Sequence, residues 1–222
     1  MFTRIEELIG RDKLLKIMRS KILLVGVGGV GGTCLETLVR SGFMDITIID
    51  HDLFEDSNLN RQLFSNVNVI GKKKVEVAKA RCKLINTEAK IKTKFVFLDE
   101  TNINLLGKYD YIIDACDSVM TKVELIKYAH DNDITIISSM GMGNRLDPTK
   151  VVISKLLSPS TDPLTKKVRM CLRKKYGEMD CSVVTSLEPA KKGKGKVSSM
   201  MMVPSAAGLA IVYYIINDII KK

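Results

Sequence analysis

Glycine occupies five of the seven positions in GVGGVGG (residues 26–32), a stretch that could bind phosphate. It follows a short apolar run typical of a strand, KILLVG (residues 21–26), and precedes a segment in which Leu35, Leu38 and Val39 recur at helical spacing. Residues without side chains let backbone N–H groups and a helix N-terminus approach phosphate oxygens. The stretch therefore predicts a nucleotide-binding turn.

An acidic residue stands where a ribose would be bound. Asp50 closes a second apolar run, DITIID, and lies 19 positions after Gly31. A carboxylate at this distance from a glycine-rich turn accepts hydrogen bonds from ribose hydroxyls. NAD and ATP both carry such a ribose, so the turn and the acid do not distinguish between them.

Polar residues follow Asp50 in DHDLFEDSNLNRQLFS, just beyond the carboxyl end of the strand, where ligands bind in open α/β sheets. They are Asp52, Asn58, Asn60, Arg61 and Gln62. Arg61 and Lys74, the latter in IGKKKVEVAKA, supply a guanidinium fork and a point charge that would offset triphosphate charge. Asp117, in DACDS after a later apolar run, would bind magnesium through oxygen. This set favours ATP over a nicotinamide cofactor.

Strand-like and helix-like segments alternate through the first two thirds of the chain. Apolar runs in KTKFVFLD, YDYIIDACD and DITIISSMG are separated by helical patterns in KVEVAKARCKLIN and VMTKVELIKYAHDN. Such alternation requires a parallel sheet, so we expect a doubly wound, Rossmann-like α/β fold. Beyond Pro148 the patterns favour a last strand in VVISKLL, a basic helix in LTKKVRMCLRKKYG, a loop at KKGKGK and a C-terminal helix in PSAAGLAIVYYIINDIIKK.

The length of 222 residues predicts one domain. We divide it into an N-terminal arm and helix (1–20), a nucleotide-binding core (21–154) and an extension with the basic helix, loop and C-terminal helix (155–222). With 45% hydrophobic and 27% charged residues, the composition excludes a disordered, collagen-like or disulfide-framework protein.

The cysteines and the N-terminal residues indicate the cellular compartment of the protein. The five cysteines form no C-x-x-C pair, which argues against a zinc ribbon or a secreted scaffold and favours the reducing cytoplasm. Charged residues between Arg4 and Asp12 would interrupt the apolar segment of a signal peptide, so we expect none. The apolar run at residues 206–216 is shorter than the roughly 20 residues of a membrane span, so we expect a buried or dimer-facing helix.

Several motifs together resemble the adenylating enzymes related to ubiquitin activation, the ThiF/MoeB-like family. They are GVGGVGG, the acid of IIDHD, SNLNRQ, GKKKVE and DACDS. FTRIEELIG, SSMGMGNRLDPTKV, the basic helix and SSMMMVPSAAGLAI are similar to its branch of bacterial tRNA threonylcarbamoyladenosine dehydratases. The resemblance implies a doubly wound fold, a homodimer, and activation of a carboxylate with ATP and magnesium.

The resemblance also assigns roles position by position. It assigns cofactor binding to Gly26, Gly28, Gly29, Gly31, Asp50, Asn58, Arg61 and Lys74. It places Asp50 at the ribose and Asn58 at the phosphates, and it makes Asp117 the metal ligand. The catalytic residues that it implies are Arg61, Lys74, Asp117 and Arg4, of which Arg4 would reach the nucleotide of the partner subunit.

The activity that the resemblance implies is ATP-dependent cyclisation of threonylcarbamoyladenosine in tRNA, through adenylation of its carboxylate. A sulfur-transfer or redox partner protein is a further implied partner. The alternative is an adenylyltransferase that activates the C-terminus of a ubiquitin-like sulfur carrier, against which the lack of paired C-x-x-C ligands weighs. A third hypothesis, a non-catalytic RNA-binding scaffold, conflicts with the intact set of Arg61, Lys74 and Asp117.

Positive charge is concentrated in one segment. Residues 165–196 carry seven of the ten net positive charges, which favours contact with RNA phosphates over a merely solvated face. The lysines of its loop are Lys191, Lys192, Lys194 and Lys196. Cys116, beside the predicted metal ligand, is expected to be a small buried hydrophobe and no nucleophile.

Overall fold

The computed structural model describes residues 1–191 and 197–222, and in this part the backbone forms a seven-stranded sheet. The strands are β1 (Lys21–Val25), β2 (Asp45–Asp50), β3 (Lys90–Phe95), β4 (Tyr111–Asp114), β5 (Thr135–Ser139), β6 (Val151–Lys155) and β7 (Ser182–Ser186). Their order across the sheet is β3-β2-β1-β4-β5-β7-β6, and every pair is parallel except β6 with β7.

Helices cover both faces of the sheet. They are α1 (Thr3–Ile9), α2 (Arg11–Arg19), α3 (Gly29–Arg40), α4 (Lys74–Ile85), α5 (Val119–Asp131), α6 (Pro163–Tyr176) and α7 (Met202–Lys221). Short 3-10 helices occur at Asp56–Asn58, Val67–Val69, Ile103–Leu105 and Pro148–Lys150. Helices α3, α4 and α7 contribute to one hydrophobic core, and α5 and α6 to the other. The predicted doubly wound, mostly parallel fold with a C-terminal helix is confirmed.

Each central strand contributes to both cores. In β1, Leu23 packs with the α5–α6 core and Leu24 with the α3–α7 core, because successive side chains of a strand point to opposite faces. A parallel strand covered on both faces reads as a continuous apolar run, which is the pattern of KILLV.

The chain reverses direction across the sheet between β1 and β4. From β1 it passes through α3 to β2 on one side, whereas β4 pairs with the other side of β1. Beyond the strand ends, Gly26 N–H donates to Ile49 O over 2.8 Å and Ala115 N–H donates to Val25 O over 2.8 Å. Ligands of open α/β sheets bind at such a switch point.

The last two strands differ in part from the sequence-based expectation. The strand expected in VVISKLL is β6, but it forms an antiparallel edge, and β7 in CSVVTS was not predicted. All five residues of β7 are buried between β5 and β6. The sheet therefore continues into residues 155–222, the segment that we assigned to the extension.

Helix α7 is longer than the apolar run from which we predicted it. Its 20 residues are long and apolar enough, by length and composition alone, to cross a membrane. In the fold it packs against α3, where Cys34 Sγ donates to Gly208 O over 3.4 Å and Thr33 Oγ1 lies 3.2 Å from Ser205 Oγ. Ile211 and Ile215 on its inner face are fully buried.

The close packing of α3 on the end of β1 predicts the effect of one substitution. A Cβ atom at Gly31 would lie 1.9 Å from the Gly26 carbonyl oxygen, a backbone atom that cannot rotate away. We expect Gly31→Ala to lower the free energy of unfolding by more than about 3 kcal/mol.

Urea denaturation followed by circular dichroism measures this loss. Gly28→Ala is the matched control, because its Cβ would meet nothing closer than 3.9 Å. It should cost less than about 1 kcal/mol. Equal losses for the two variants would contradict the packing argument.

Candidate active site

A cleft of about 740 Å³ opens at the carboxyl ends of β1, β2, β4 and β5. Most of the residues singled out in the sequence line it, namely Gly26, Gly28, Gly29, Asp50, Asn58, Arg61, Lys74 and Asp117. Gly31 and Arg4 are not among the lining residues. The structure thus brings together side chains from four separate segments of the sequence.

The glycine turn forms one wall of the cleft. Gly26 has φ of 90°, and a Cβ atom there would lie 2.6 Å from the Ala115 carbonyl oxygen. Gly28 is the N-cap of α3, and no side chain caps this helix. Gly28 and Gly29 line the cleft, so the N-terminal end of a 12-residue helix faces it. Such an end favours negative charge.

Gly31 and Arg4 take other positions. Gly31 is buried within α3 behind the turn, packed on the Gly26 carbonyl, so its lack of a side chain serves packing. Arg4 is exposed on α1, away from the cleft of its own chain.

Asp50 is held in a fixed orientation at the end of β2. One carboxylate oxygen accepts the N–H of Val27 over 2.7 Å and the other accepts the N–H of Asp52 over 2.8 Å. The side chain thus ties the glycine turn to the strand end. Each oxygen keeps a second lone pair, so the carboxylate can still accept hydroxyl donors.

Lys74 forms an ion pair with Asp52 at the floor of the cleft. Lys74 Nζ lies 2.7 Å from Asp52 Oδ2, and the lysine side chain is 6% exposed whereas that of Asp52 is 50% exposed. Asp50, His51 and Asp52 also place one ligand atom each within 4.8 Å of one another, a spacing that a metal ion could bridge. Asp117, the predicted metal ligand, does not belong to this cluster.

The loop after β2 fixes Asn58 and Arg61. Asn58 Oδ1 accepts the N–H of Glu55 over 3.1 Å as part of a capping box. Arg61 donates from Nη1 to Ser57 O and to Asn60 Oδ1. Next to it, Gln62 lines the cleft, and its buried Oε1 atom has no partner among the described residues. A bound ligand could supply that missing donor.

A buried ion pair lies beneath the loop that carries Asp117. Lys122 Nζ donates to Asp114 Oδ2 over 3.0 Å and to Ser139 O over 2.7 Å, and both charged side chains are inaccessible to solvent. Burial is the largest single influence on the pKa of Lys122 and would lower it, but the charge of Asp114, the hydrogen bond to Asp114 and the neighbouring Cys116 and Asp117 together raise that pKa. The pair links β4, α5 and β5 under the cleft. Lys122 was not among the residues predicted from the sequence, although a lysine at an otherwise apolar position of a helix was the available signal.

Cys116 lines the cleft beside Asp117 and is half-buried, not fully buried as expected from the sequence. Burial, followed by the charge of Asp114, raises the pKa of its thiol well above the usual range. Its Sγ lies 3.0 Å from Asp114 Oδ1. The thiolate is therefore disfavoured near neutral pH, as the prediction of an inert cysteine requires.

The far side of the cleft is built from segments that the sequence analysis did not assign to the site. They are the end of β5 and the residues that follow it (139–145), the start of α6, and parts of the chain on either side of residues 192–196. Arg145 and Asp162 form a buried ion pair of 2.9 Å there. The glycines of SSMGMGNR were the signal that could have located this wall.

The chain belongs to the ThiF family, whose sequence profile matches residues 3–215. It is 35% identical to the tRNA threonylcarbamoyladenosine dehydratase of Bacillus subtilis (strain 168), covering 99% of this chain and 94% of that protein. The resemblance to the adenylating enzymes and to their dehydratase branch is thereby confirmed.

A solved structure shows the same architecture. The crystal structure of Escherichia coli tRNA N6-threonylcarbamoyladenosine dehydratase in complex with ATP matches with a TM-score of 0.94 at 30% identity, covering 99% of this chain and 93% of that chain. An adenylyltransferase and sulfurtransferase of Vanderwaltozyma polyspora is 35% identical, but over 63% of this chain and 32% of that protein.

The pair of Arg145 and Asp162 predicts a pH dependence of stability. Burial alone would raise the pKa of the Asp162 carboxyl, but hydrogen bonds from Thr165 and Arg145 outweigh it and lower that pKa. A carboxyl with a lowered folded-state pKa stabilises the protein above its unfolded value of about 3.9, and this contribution is lost as the pH falls through the folded-state value.

We therefore expect Asp162→Asn to be less stable than the wild type at pH 7, with a difference that shrinks below about pH 4. Urea denaturation across a pH series measures it. Asp12→Asn, on the exposed side of α2, is a charge-matched control that should follow the wild type. A difference that stayed constant down to low pH would contradict the role given to the ionised carboxylate.

Proposed function

We propose that this protein catalyses the ATP-dependent cyclisation of threonylcarbamoyladenosine in tRNA. The observation that carries the proposal is the convergence of the glycine turn, Asp50, Arg61, Lys74 and Asp117 on one cleft at the switch point of the sheet. The names of the Bacillus subtilis and Escherichia coli relatives, each covered over more than nine tenths of its length, support the substrate.

The chemistry begins with activation of a carboxylate. A carboxylate oxygen of the nucleoside attacks the α-phosphorus of ATP, and pyrophosphate leaves. A nucleophilic group of the same nucleoside then attacks the acyl carbon and loses its proton, while AMP departs with the former carboxylate oxygen. The nucleoside has lost the elements of water. Because nucleophile and electrophile belong to one molecule, proximity accelerates ring closure without an enzyme-bound acyl group.

The nucleotide would lie along the wall formed by the glycine turn. Asp50 would accept the ribose hydroxyls with its free lone pairs, and Gly26, Gly28 and Gly29 would allow the phosphates to approach α3. Asn58, Arg61 and Lys74 would contact the phosphates. Lys74 would exchange its contact with Asp52 for a phosphate oxygen, an exchange between two anions that keeps its buried charge compensated.

The carboxylate of Asp117 could hold a magnesium ion at this site. Asp117 is exposed at the cleft, and no hydrogen bond to a described residue occupies its carboxylate. Magnesium is commonly held by one or two carboxylates together with substrate phosphates and water, so a single free carboxylate suffices. The ion would neutralise charge on the phosphates during transfer. The cluster of Asp50, His51 and Asp52 suits it less, since Asp50 already orders two amides and Asp52 pairs with Lys74.

The sulfur-carrier adenylyltransferase stays the rival enzyme. Its relative from Vanderwaltozyma polyspora matches 63% of this chain, whereas the Bacillus subtilis dehydratase matches 99%. The non-catalytic scaffold requires a decayed site, whereas Arg61, Lys74 and Asp117 all line the cleft.

A sulfur-transfer or redox partner stays a prediction. Burial raises the pKa of Cys82 and of Cys181 to about 12, so neither thiol is suited to exchange.

The deciding experiment uses tRNA that carries threonylcarbamoyladenosine in its open form. With ATP and magnesium, the protein should convert this nucleoside to a species lighter by one water and release AMP and pyrophosphate in equal amounts. Mass spectrometry of the digested tRNA reads the product. Activation of a ubiquitin-like carrier tail, without conversion of the nucleoside, would replace this proposal with its rival.

The exposed face of α6 supports tRNA as the substrate. Helix α6 starts at the cleft, where Pro163 and Leu164 line it, and Lys166, Lys167, Arg173 and Lys174 are exposed along the helix. Arg169 is committed to Leu156 O and Ser158 O, and Lys175 to Glu100 and Glu124. Four cations thus remain for RNA phosphates. Of the loop lysines, Lys192, Lys194 and Lys196 lie outside the described residues, whereas Lys191 is exposed.

A homodimer would complete the site. Helix α1 carries no buried residue, and its Leu8 is 83% exposed, so this apolar side chain has no cover within one chain. Covering α1 with a second copy would bring Arg4 toward the partner's nucleotide.

The five cysteines are free, in keeping with the cytoplasm as the proposed compartment.

Loss of the proposed metal ligand should impair catalysis more than folding. We expect Asp117→Asn to lower kcat by at least about 100-fold, because charge on the transferring phosphoryl group is no longer offset. Steady-state AMP release measures it. Asp133→Asn, on the loop before β5 with φ of 53°, is the control and should retain wild-type kcat. Equal kcat for the two variants would remove Asp117 from the metal site.

The α6 surface predicts a change in salt dependence. Replacing Lys166, Lys167 and Lys174 with Ser should reduce the slope of log K for tRNA against log salt by about 0.7 to 0.9 for each phosphate that the protein no longer neutralises. Filter binding across a salt series measures the slope. The control removes equal charge from the exposed Lys90, Lys92 and Lys94 on the β3 edge, and its slope should match the wild type. Identical slopes for both variants would exclude α6 from the RNA surface.

The dimer predicts complementation between two inactive variants. Arg4→Ala and Asp117→Asn chains, mixed in equal amounts and reassociated, should recover about a quarter of wild-type activity, because half of the dimers carry one intact site of two. Light scattering should give twice the 24.7 kDa of one chain. Absence of recovery in a confirmed dimer would show that Arg4 does not act across the interface.

A further inference from the structure

The cleft has a charged half and a neutral half. The charged half lies at the ends of β1, β2 and β4 and contains Asp50, Asp52, Arg61, Lys74 and Asp117. The neutral half lies beyond β5 and is lined by Met140, Gly141, Met142, Gly143, Pro163, Leu164, Ala190 and Val197. Among the described residues that line this half, the charged side chains are Arg145 and Asp162, which pair at 2.9 Å and are each 2% exposed.

Arg145 presents no charge to the cleft because its guanidinium is used to hold the wall together. Nε donates to Glu188 O over 2.8 Å, Nη1 donates to Gly141 O, and Nη2 donates to Asp162. Asp162 also accepts the N–H of Thr165 over 2.8 Å at the start of α6. One ion pair thus fixes three segments of the neutral half.

Two glycines let the backbone of this wall pack closely against neighbouring side chains. A Cβ atom at Gly141 would lie 2.4 Å from Asp162 Oδ1, and one at Gly143 would lie 2.1 Å from Val197 Cγ1. The backbone therefore approaches these neighbours more closely than a side chain would permit. The backbone groups of Gly141 are occupied by Arg145 and Asp162. Those of Met142 and Gly143 make no hydrogen bond to a described residue, and they line the cleft together with the apolar side chain of Leu164. An uncharged heteroaromatic ring needs both hydrogen-bonding groups and a nonpolar surface.

We propose that the neutral half binds the purine base of the substrate nucleoside, an inference that rests on the proposed function. ATP requires fixed cations, and these lie in the charged half. The base then occupies the half whose described lining residues present no free charge, and its N6 substituent extends toward the charged half. This arrangement brings the substrate carboxylate to the α-phosphate of ATP.

Tryptophan substitution tests the subsite, because the chain contains no tryptophan of its own. Ala190 is exposed at the rim of the neutral half, so Ala190→Trp should narrow it without disturbing the core. We expect the KM for tRNA carrying the open nucleoside to rise about tenfold and the Kd of ATP to stay within about twofold. Leu187→Trp is the matched control. Leu187 lies three residues earlier, is 64% exposed and does not line the cleft, so both constants should be unchanged.

A second measurement uses the new tryptophan as a reporter. With the charged half filled by a non-hydrolysable ATP analogue, free threonylcarbamoyladenosine should change the emission of the Ala190→Trp variant and leave that of the Leu187→Trp variant unchanged. Two partial ligands show which portion of the molecule the neutral half binds. Free threonine lacks the purine nucleoside, and the unmodified nucleoside lacks the threonine part. A response to threonine in the absence of any response to the unmodified nucleoside would overturn the assignment to the base.

The outcomes separate the subsite from the function. Wild-type KM together with an unresponsive emission in the Ala190→Trp variant overturns the subsite, provided that the wild type cyclises the nucleoside. Failure of the wild type to cyclise it overturns the proposed function itself. If Ala190→Trp blocks adenylation of a carrier tail instead, the neutral half binds a peptide and the nucleoside assignment is wrong.

Discussion

The approach of α3 to the end of β1 determines how the charged half of the cleft is built. Gly31 lies so close to the Gly26 carbonyl that a methyl group has no room, and Gly26 itself adopts φ of 90° against Ala115. This contact aims the uncapped end of α3 into the cleft and places the turn where Asp50 can bind the Val27 amide. The loop with Arg61 and the start of α4 with Lys74 then close around a turn that is already fixed.

Two buried ion pairs support the two halves of the cleft. Asp114 and Lys122 lie under the charged half, and Arg145 and Asp162 stand behind the neutral half. A buried ion pair often contributes less to stability than apolar residues of similar size would, because both charges lose their hydration. Here each pair also donates to backbone carbonyls of neighbouring segments, so each fixes a geometry that apolar side chains would leave free. Buried polar pairs therefore support the cleft at the two places where its walls require one defined geometry.

The glycine turn, Asp50 at the strand end and the alternation of elements were readable in the sequence because each depends on neighbours within about 20 positions. Strand β7 was missed because CSVVTS is short and rich in small polar residues, and its burial comes from strands far away in sequence. Gly31 shows a different limit of prediction from sequence. The spacing of the motif identifies the glycine, but it does not tell whether the glycine lies against a ligand or against a backbone carbonyl. The pairing of Lys74 with Asp52 and of Arg145 with Asp162 depends on tertiary contacts, and the place of Arg4 depends on a second chain.

The packing of α7 on α3 has a consequence for the order in which the chain is made. Thr33 contacts Ser205 across 172 positions, and a Cβ atom at Gly29 would lie 3.2 Å from Pro204 Cβ. At synthesis rates of about 5 to 20 residues per second, roughly ten to thirty seconds separate the emergence of α3 from that of α7. During that interval the apolar face of α3 has no cover from α7. This uncovered apolar surface favours aggregation of the nascent chain at the helix whose N-terminal end faces the cleft.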